Sequence, residues 1–329
     1  MKFLFRYLVA FGLISTCLLP SLSAQTQFEI QYSAFGNTYG KDMLIAPDGG
    51  YYLLIQAHPS SGEEWGPVLV KLDAMGNEQW QRKYVAMASQ YESIDEMRYD
   101  PDGNIVLSGT FNRILKLDTL GNIIWAKQVP GIGLTNHRVE GLAIAANGDI
   151  ALALHYFGSA PRIMRFDENG DAVWIRGYTL PRAAGYAEDL DYVPGGGFVM
   201  THETGMIARI ADDGTGLWLS DIRAGVESYL EASLIESDNS ITTVGGARNS
   251  FGDPWNVHLI RTNADGSHGW IRRYGTSADL IGHDLLHTPD GGYLLMASFS
   301  TGVALIKTDS LGTPEWNTYG SQVEFDSPK

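Results

Sequence analysis

Cysteine is almost absent from this sequence, because Cys17 is the only one in 329 residues. Cys17 also lies in an N-terminal segment that we expect to be removed, which would leave none in the mature chain. Such a chain has no disulfide, no thiolate zinc site and no cysteine nucleophile. It must be held together by burial of apolar side chains, for which about 300 residues are sufficient.

Long apolar runs are lacking beyond the first 24 residues. Lys2 and Arg6 accompany an apolar stretch that Pro20 ends, shortly before small residues at 23 and 24. This order predicts a secretory signal peptide over 1–24 and a single mature domain over 25–329. The alternatives are an uncleaved anchor, for which the stretch is short and interrupted, and lipid attachment at Cys17. We therefore expect a secreted protein, extracellular or on the outer cell surface, with no membrane insertion.

Positive charge is scarce, with 23 lysine and arginine residues against 38 aspartate and glutamate residues. Without Lys2 and Arg6, 21 basic residues remain against the 38 acidic ones, a net charge of −17. Such a surface repels phosphate backbones and anionic lipid, which argues against nucleic acid as a partner. It favours solubility and a weak attraction for cations.

A sustained helical periodicity is also missing, and a repeat stands in its place. Six of the eight tryptophans end the frame basic–x–Asp–x–x–Gly–x–x–x–Trp or a variant of it. These frames end at Trp80, Trp125, Trp174, Trp218, Trp270 and Trp316, at intervals of 44 to 52 residues. A period in the forties is typical of a four-stranded propeller blade.

Each unit carries a second turn signal upstream of this frame. Asp-Gly or Asn-Gly pairs, or variants of them, stand near Gly49, Gly103, Gly148, Gly196, Asn239 and Gly291. These pairs supply the positive φ angles of tight hairpins, and apolar or β-branched residues flank them. The predicted fold class is therefore all-β, a β-propeller of four-stranded blades with six complete repeats.

The ends of the chain leave the blade number open. Phe28 begins FEIQY much as Trp270 begins WIRRY, so the mature chain is expected to start with the last strand of a unit. The sequence stops at Lys329, where a seventh inner strand would begin. Either the N-terminal strand pairs with the last blade and closes a six-bladed ring, or the design is a truncated seven-bladed one. We favour six blades.

The frame tryptophans are predicted to pack blade against blade, because a large ring at a fixed place in every unit buries area between neighbours. Trp65 and Trp255 lie outside the frame, in the variable loops of the first and fifth units. Packing within the loop is one role for them, and contact with a ligand is the other.

The polar positions of the frame also recur. The basic residue is followed two positions later by an aspartate in four of six units. Residues i and i+2 share a strand face, so the two are expected to form a small side-chain network. The aspartate can also accept hydrogen bonds from backbone amides of the turn.

Acidic residues recur at the start of the strand expected to be innermost. They are Asp42, Glu96, Glu140, Asp189, Glu231 and Asp284, with Glu140 and Glu231 offset by one position. A propeller would gather them near one mouth of its channel. They either accept hydrogen bonds from the backbone of the next blade or form a carboxylate ring for Ca²⁺ or a cationic group. His283 and His287 flank Asp284 and are candidate ligand-binding residues, as are Trp65 and Trp255.

The six frames, together with DGGY at Asp48 and Asp290 and RRYG around Tyr274, resemble the propeller repeats of secreted Bacteroidetes proteins, which are often cargo of type IX secretion. The resemblance covers most of residues 27–320 and says little about activity. The frame is also distantly similar to that of tryptophan-docking quinoprotein propellers. Its Asp-to-Gly spacing is one residue shorter, and no residue here supports a quinone cofactor.

Two classes of function remain. The first is a non-catalytic extracellular binding module for a protein or glycan, working as a monomer, with Ca²⁺ as its one candidate cofactor. The second is a glycan lyase or hydrolase with acidic and histidine residues at the channel mouth. The fold alone is no warrant for an enzyme. An enzyme that uses paired carboxylates is expected to break the repeat in one unit, and the sequence shows only His283, His287 and the acids at 188, 189 and 191.

Overall fold

A computed structural model describes residues 37–58, 66–84, 94–109, 113–129, 137–156, 160–181, 186–223, 225–275, 278–300 and 302–321. The predicted signal peptide, Phe28 and Trp65 lie outside these residues. All regular structure in the described ranges is β-strand. No helix in them is long and apolar enough to cross a membrane.

Within these ranges, twenty-four strands form six antiparallel sheets of four strands each, in chain order. The first two sheets are β1 Asn37–Ile45, β2 Tyr51–His58, β3 Gly66–Leu72, β4 Glu78–Lys83, and β5 Glu96–Tyr99, β6 Ile105–Gly109, β7 Arg113–Leu117, β8 Ile123–Gln128. The next two are β9 His137–Ile144, β10 Ile150–Tyr156, β11 Arg162–Phe166, β12 Ala172–Gly177, and β13 Ala187–Tyr192, β14 Phe198–His202, β15 Met206–Ile210, β16 Gly216–Asp221. The last two are β17 Glu227–Ile235, β18 Ile241–Arg248, β19 Asn256–Thr262, β20 His268–Tyr274, and β21 Ile281–His287, β22 Tyr293–Phe299, β23 Gly302–Thr308, β24 Pro314–Ser321.

The six sheets are the blades of a ring. First strands of successive sheets contact one another, from β1 with β5 to β17 with β21. These strands therefore line the centre, and each fourth strand lies at the rim. The sixth blade takes all four strands from consecutive sequence, β21 to β24. The fold is a six-bladed β-propeller, which confirms the predicted fold class and blade number.

The core lies between blades because each sheet buries apolar side chains on both faces. Tyr52 and Leu54 of the first blade pack with Met97 and Leu107 of the second in one cluster. Similar clusters join each following pair up to the fifth and sixth blades. Third and second strands such as β3 and β6 are wholly buried, whereas fourth strands such as β4 and β12 are mostly exposed.

Five of the six frame tryptophans pack between blades in the described residues, as predicted. Trp218 of the fourth blade lies against Gly266 in the last turn of the fifth blade, where a Cβ atom would stand 2.7 Å from the indole. The same pairing joins Trp80 to Gly121, Trp125 to Gly170, Trp174 to Gly214 and Trp270 to Gly312. In three units a tyrosine four residues after the tryptophan adds a hydrogen bond, as when Tyr274 donates to the Gly312 carbonyl at 2.6 Å.

The polar frame residues form two separate networks, which corrects the single network predicted. The aspartate caps its own turn: Asp73 accepts the amides of Met75 and Asn77, both at 2.8 Å. The basic residue instead reaches across the sheet to an acid of the first hairpin, as Lys71 does to Asp48 at 2.8 Å. The oxygens of Asp73 are taken up instead by the amides of its own turn and by the Asn77 side chain.

Candidate functional site

A β-bulge interrupts the inner strand of every blade. In β13, Ala187 pairs with His202 and Asp189 with Thr201, so Glu188 is the extra residue. The other extra residues are Lys41, Glu140, Glu231 and His283. At the start of β5 the Asp95 amide donates to the Ser108 carbonyl, and Glu96 is paired with the same Ser108. Asp95 therefore corresponds to the extra residue of the other inner strands. A bulge re-aims the side chains beside it.

The bulges divide the predicted acidic ring into two sets, which corrects the expectation of one ring. Asp42, Glu96, Asp189 and Asp284 follow the extra residue, whereas Glu140 and Glu231 are themselves extra residues. At the positions equivalent to Asp42, the third and fifth blades have glycine and alanine, Gly141 and Ala232. Glu140 and Glu231 are therefore offset by one position in the sequence because they occupy the bulge itself, whereas the other four acids follow it.

The first set of carboxylates links neighbouring blades. Asp42 accepts the Met97 amide at 2.8 Å, and Glu96 accepts the Leu142 amide at 3.0 Å. Asp189 accepts the Ser233 amide at 2.9 Å. Each bond joins an acid to the inner strand of the next blade. These three acids thus stabilise the ring, which was one of the two roles expected of them.

Arg98 lies among the acids of the central channel. Its guanidinium lies 3.3 Å from Asp42 and 3.4 Å from Glu96. Burial raises the pKa of Glu96 well above its ordinary value, and burial also raises the pKa of Asp284, with Asp189 and Asp42 adding to the effect. Acids of the first, second, fourth and sixth blades therefore act on one another across the channel. No three acidic, histidine or cysteine side chains within the described ranges are arranged to hold a metal ion. The Ca²⁺ site stays a prediction.

The second set, at the bulges, is mainly acidic, with Glu140, Glu188 and Glu231 at three of its positions. Lys41 pairs with Asp95 at 2.7 Å, and His283 Nδ1 lies 3.9 Å from a Glu231 oxygen. Burial, followed by the charges of Glu231, Glu140 and Glu203, raises the pKa of Glu188 to about 8. Glu188 therefore holds its proton at neutral pH, while the surrounding carboxylates attract cations.

A cleft of about 510 Å³ opens beside these bulge residues, between the fourth and fifth blades. Glu188, Glu203 and Glu231 line it together with Ser228, Tyr229 and Trp255, and so do Thr204, Arg223, Val226 and Glu227. It lies on the face that carries the loops between second and third strands. We call it the mouth cleft.

Loop length produces the mouth cleft. In the fourth blade, residues 203–205 alone join β14 to β15, whereas residues 249–255 join β18 to β19 in the fifth. The longer loop brings Trp255 over the space that the shorter turn leaves. The Trp255 amide donates to Asp279 at 2.8 Å and its carbonyl accepts the Leu280 amide at 2.9 Å. The loop is therefore held in place from the sixth blade.

The predicted ligand-binding residues are brought together only in part. Trp255 and Glu231 share the mouth cleft, and His283 reaches Glu231 while it hydrogen-bonds Ser298 at 2.7 Å. His287 lies at the other end of β21, 3.4 Å from Glu236. The two histidines therefore do not form one site. Trp65 lies outside the described residues.

Sequence reasoning missed Glu203, Ser228 and Tyr229. None of them belongs to the repeated frames, so the pattern gave no reason to select them. A usable signal was the spacing of the tryptophans, because the shortest interval, 44 residues before Trp218, stands next to the longest, 52 residues before Trp270. Unequal neighbouring units imply unequal loops, and unequal loops leave a cleft.

Comparison with solved structures bears on the fold alone. The chain is similar to a protein of unknown function from Bacteroides caccae, with a TM-score of 0.52 and 13% identity over 79% of this chain and 92% of that one. BamB from Moraxella catarrhalis gives a TM-score of 0.49 and 16% identity over 84% of this chain and 75% of that one. No family model matches the sequence, and no curated protein is similar to it.

Proposed function

We propose that this protein is a secreted, non-catalytic binding module whose ligand site is the mouth cleft. One observation carries the proposal: Trp255, which stands outside the repeated framework, lies with Glu188, Glu203 and Glu231 in one cleft beside the channel. A concave site with an aromatic wall and a few convergent polar groups is the usual form of a ligand site. An extracellular glycan or protein segment is the proposed partner.

Export is proposed on the first 24 residues, which have the order of a signal peptide. The same export is usual for the Bacteroidetes proteins whose repeats this chain resembles. If the full chain is produced in a bacterium with an outer membrane, the exported protein should begin at Gln25. N-terminal sequencing of that protein tests this. Recovery of an intact N-terminus with the membranes would contradict it.

Binding is tested with a glycan array and a peptide array, probed with the mature chain. Trp255→Ala should abolish the hits, because it removes the aromatic wall and leaves the blade strands intact. Trp316→Ala is the matched control, since Trp316 is 49% exposed at the rim of the sixth blade. Hits that survive Trp255→Ala would place the ligand elsewhere on the ring.

A glycan-active enzyme is the second candidate, and Glu188 is the observation that favours it. A carboxyl group that stays protonated near neutral pH, beside a second carboxylate and an aromatic wall, has the properties of a general acid. Glu188→Gln distinguishes the two candidates. It should leave the affinity of a binding module within a few-fold of wild type, whereas it would abolish turnover of a glycan by an enzyme.

A further inference from the structure

The junction between the sixth and first blades differs from the other five. Neighbouring inner strands pack closely from β1 with β5 to β17 with β21, and within the described residues this packing is not repeated between β21 and β1. Val244 and Val257 of the fifth blade are fully buried against the sixth. At the same strand positions of the sixth blade, Met296 and Val303 are 42% and 49% exposed. The apolar face that the sixth blade turns toward the first is therefore only partly covered.

The first blade is exposed on the facing side of this junction, at its inner strand. Met43 of β1 is 56% exposed, whereas Leu285, at the same position of β21, is buried against the fifth blade. Exposed apolar side chains on both sides of one junction favour a further segment that packs between them.

The turn at Gly76 in the first blade has the form of the turns that receive a tryptophan. Its φ is 84°, as at Gly266, and Asp73 caps it. Gly76 is also the one frame glycine outside the five tryptophan contacts seen in the described residues. In ring order the tryptophan for this turn would be Trp316, and Trp316 is half exposed. A seventh aromatic side chain would complete the pattern.

Residues 28–32, FEIQY, have the sequence of a fourth strand, although they lie outside the described ranges. Phe28 stands where a frame tryptophan stands, and Tyr32 follows it by four residues, as Tyr274 follows Trp270. The sixth blade already takes its fourth strand from β24. The segment is therefore a seventh copy of the fourth strand, and the six four-stranded sheets leave no fourth position for it.

The intervals along the chain place this copy next to the first blade. Phe28 precedes Gly76 by 48 residues, the same interval as between Trp218 and Gly266. Asp42 in β1 follows Phe28 by 14 residues, which is also the interval between the tryptophan of the fifth blade and the acid of β21. A segment with these two intervals can reach the Gly76 turn as a frame tryptophan reaches the turn of the next blade.

We propose that residues 28–32 bind between the sixth and first blades of the same chain. The Phe28 ring lies on the Gly76 turn, and the Tyr32 hydroxyl donates to the Gly76 carbonyl. The same hydrogen bond to the turn glycine of the next blade joins three other junctions, through Tyr84, Tyr178 and Tyr274. The segment thus closes the ring, and the inference does not rest on the proposed ligand site.

Cysteine cross-linking tests the position of the segment, because residues 25–329 contain no cysteine. At the junction of the first and second blades, the Leu120 carbonyl accepts a hydrogen bond from Arg82 Nε at 2.7 Å. In the frame, Ile30 corresponds to Arg82, and Met75 corresponds to Leu120. A short bismaleimide should therefore join the pair Ile30→Cys and Met75→Cys within one chain. The pair Ile30→Cys and Leu120→Cys is the matched control, because Leu120 is exposed in the equivalent turn of the second blade, and it should give at least 10-fold less product.

Peptide mass spectrometry and gel filtration identify the product. Equal yields from the two pairs would show that the segment is not held at the first blade, which would overturn the proposal. Cross-linked dimers would show that the segment of a second copy occupies the junction, which would overturn the inference that each chain closes its own ring.

Thermal unfolding of residues 25–329 is the second measurement. Phe28→Ala should lower the midpoint by about 3–6 °C, because it removes an aromatic ring packed between two blades. Tyr32→Phe removes only the hydroxyl and should lower the midpoint by about 1–3 °C. Phe251→Ala is the matched control, since Phe251 is exposed in a loop of the fifth blade, and it should change the midpoint by about 1 °C or less. A midpoint for Phe28→Ala no lower than that of the control would contradict the proposal.

Discussion

At the scale of single residues, one extra residue in each inner strand separates two kinds of acid. The residue after the bulge, such as Asp42, accepts an amide of the next blade and stabilises the ring. The bulge residue itself, such as Glu188 or Glu231, lies beside the mouth cleft. Acids one position apart in sequence therefore serve different purposes. One holds the scaffold and the other shapes the electrostatics of the candidate site.

Glu188 should make stability depend on pH. Its folded pKa of about 8 exceeds its ordinary value of 4.5. Its contribution is therefore fully present below pH 4.5 and is lost as pH rises through 8. Glu188→Gln should raise the free energy of unfolding at pH 9 by about 1–2 kcal/mol, with screening allowed for, and should leave it little changed at pH 4.

Urea unfolding at pH 4, 7 and 9 measures this effect. Glu168→Gln is the matched control, because Glu168 is an exposed turn residue of the third blade. Equal changes in the two variants at pH 9 would show that overall negative charge, and not the environment of Glu188, causes the dependence.

At the scale of strands and turns, the contact between a frame tryptophan and the glycine of the next blade is the repeated unit of assembly. The glycine does two things there. Its φ of 84° at Gly266 suits a residue without a side chain, and its lack of Cβ lets the Trp218 ring lie directly on the turn. One residue, glycine, meets both requirements, the positive φ and the contact with the ring, which explains why the turn glycine and the tryptophan recur together.

Substitution at two glycines separates these requirements. Gly49 has a φ of 82° and nothing within 4 Å of a Cβ atom, so Gly49→Ala should cost only the strain of a left-handed backbone, about 1 kcal/mol. Gly266→Ala has the same strain and also meets Trp218, so it should cost about 2–4 kcal/mol. Thermal and urea unfolding measure both. Equal losses would mean that the tryptophan contact adds nothing to stability.

At the scale of the whole molecule, the ring is less uniform than its repeats suggest. Five frame tryptophans lie against the glycine of the following blade, whereas Trp316 of the sixth blade is 49% exposed. Unequal loops likewise open the mouth cleft between the fourth and fifth blades. The exposed Trp316 and the unequal loops are therefore the places where one blade differs from the others.

Two tryptophan variants measure this asymmetry. Trp218→Ala should lower the free energy of unfolding by about 3 kcal/mol, because it leaves a cavity against Gly266 and the core of the fourth and fifth blades. Trp316→Ala should lower it by about 1 kcal/mol or less, because half of that side chain is already in water. Equal losses of the free energy of unfolding in urea would show that Trp316 stabilises the ring as much as Trp218 does, which would contradict this asymmetry.

The sequence by itself determined the architecture, because the architecture is periodic. Every blade has a turn glycine and a tryptophan at fixed spacing, so six copies at intervals of 44 to 52 residues are visible without coordinates. Trp255 and Glu231 could also be selected, one as a tryptophan outside the frame and the other as a recurring acid.

Only the tertiary structure decided which of these residues meet. Glu203, Ser228 and Tyr229 join Trp255 because a short turn in one blade faces a long loop in the next, and no spacing within one unit records a contact between two units. The bulges were likewise not visible in the sequence, because one extra residue changes the direction of a side chain and leaves the pattern of residue types unaltered. Local chemistry therefore specifies the blade, and the packing of unequal blades specifies the candidate site.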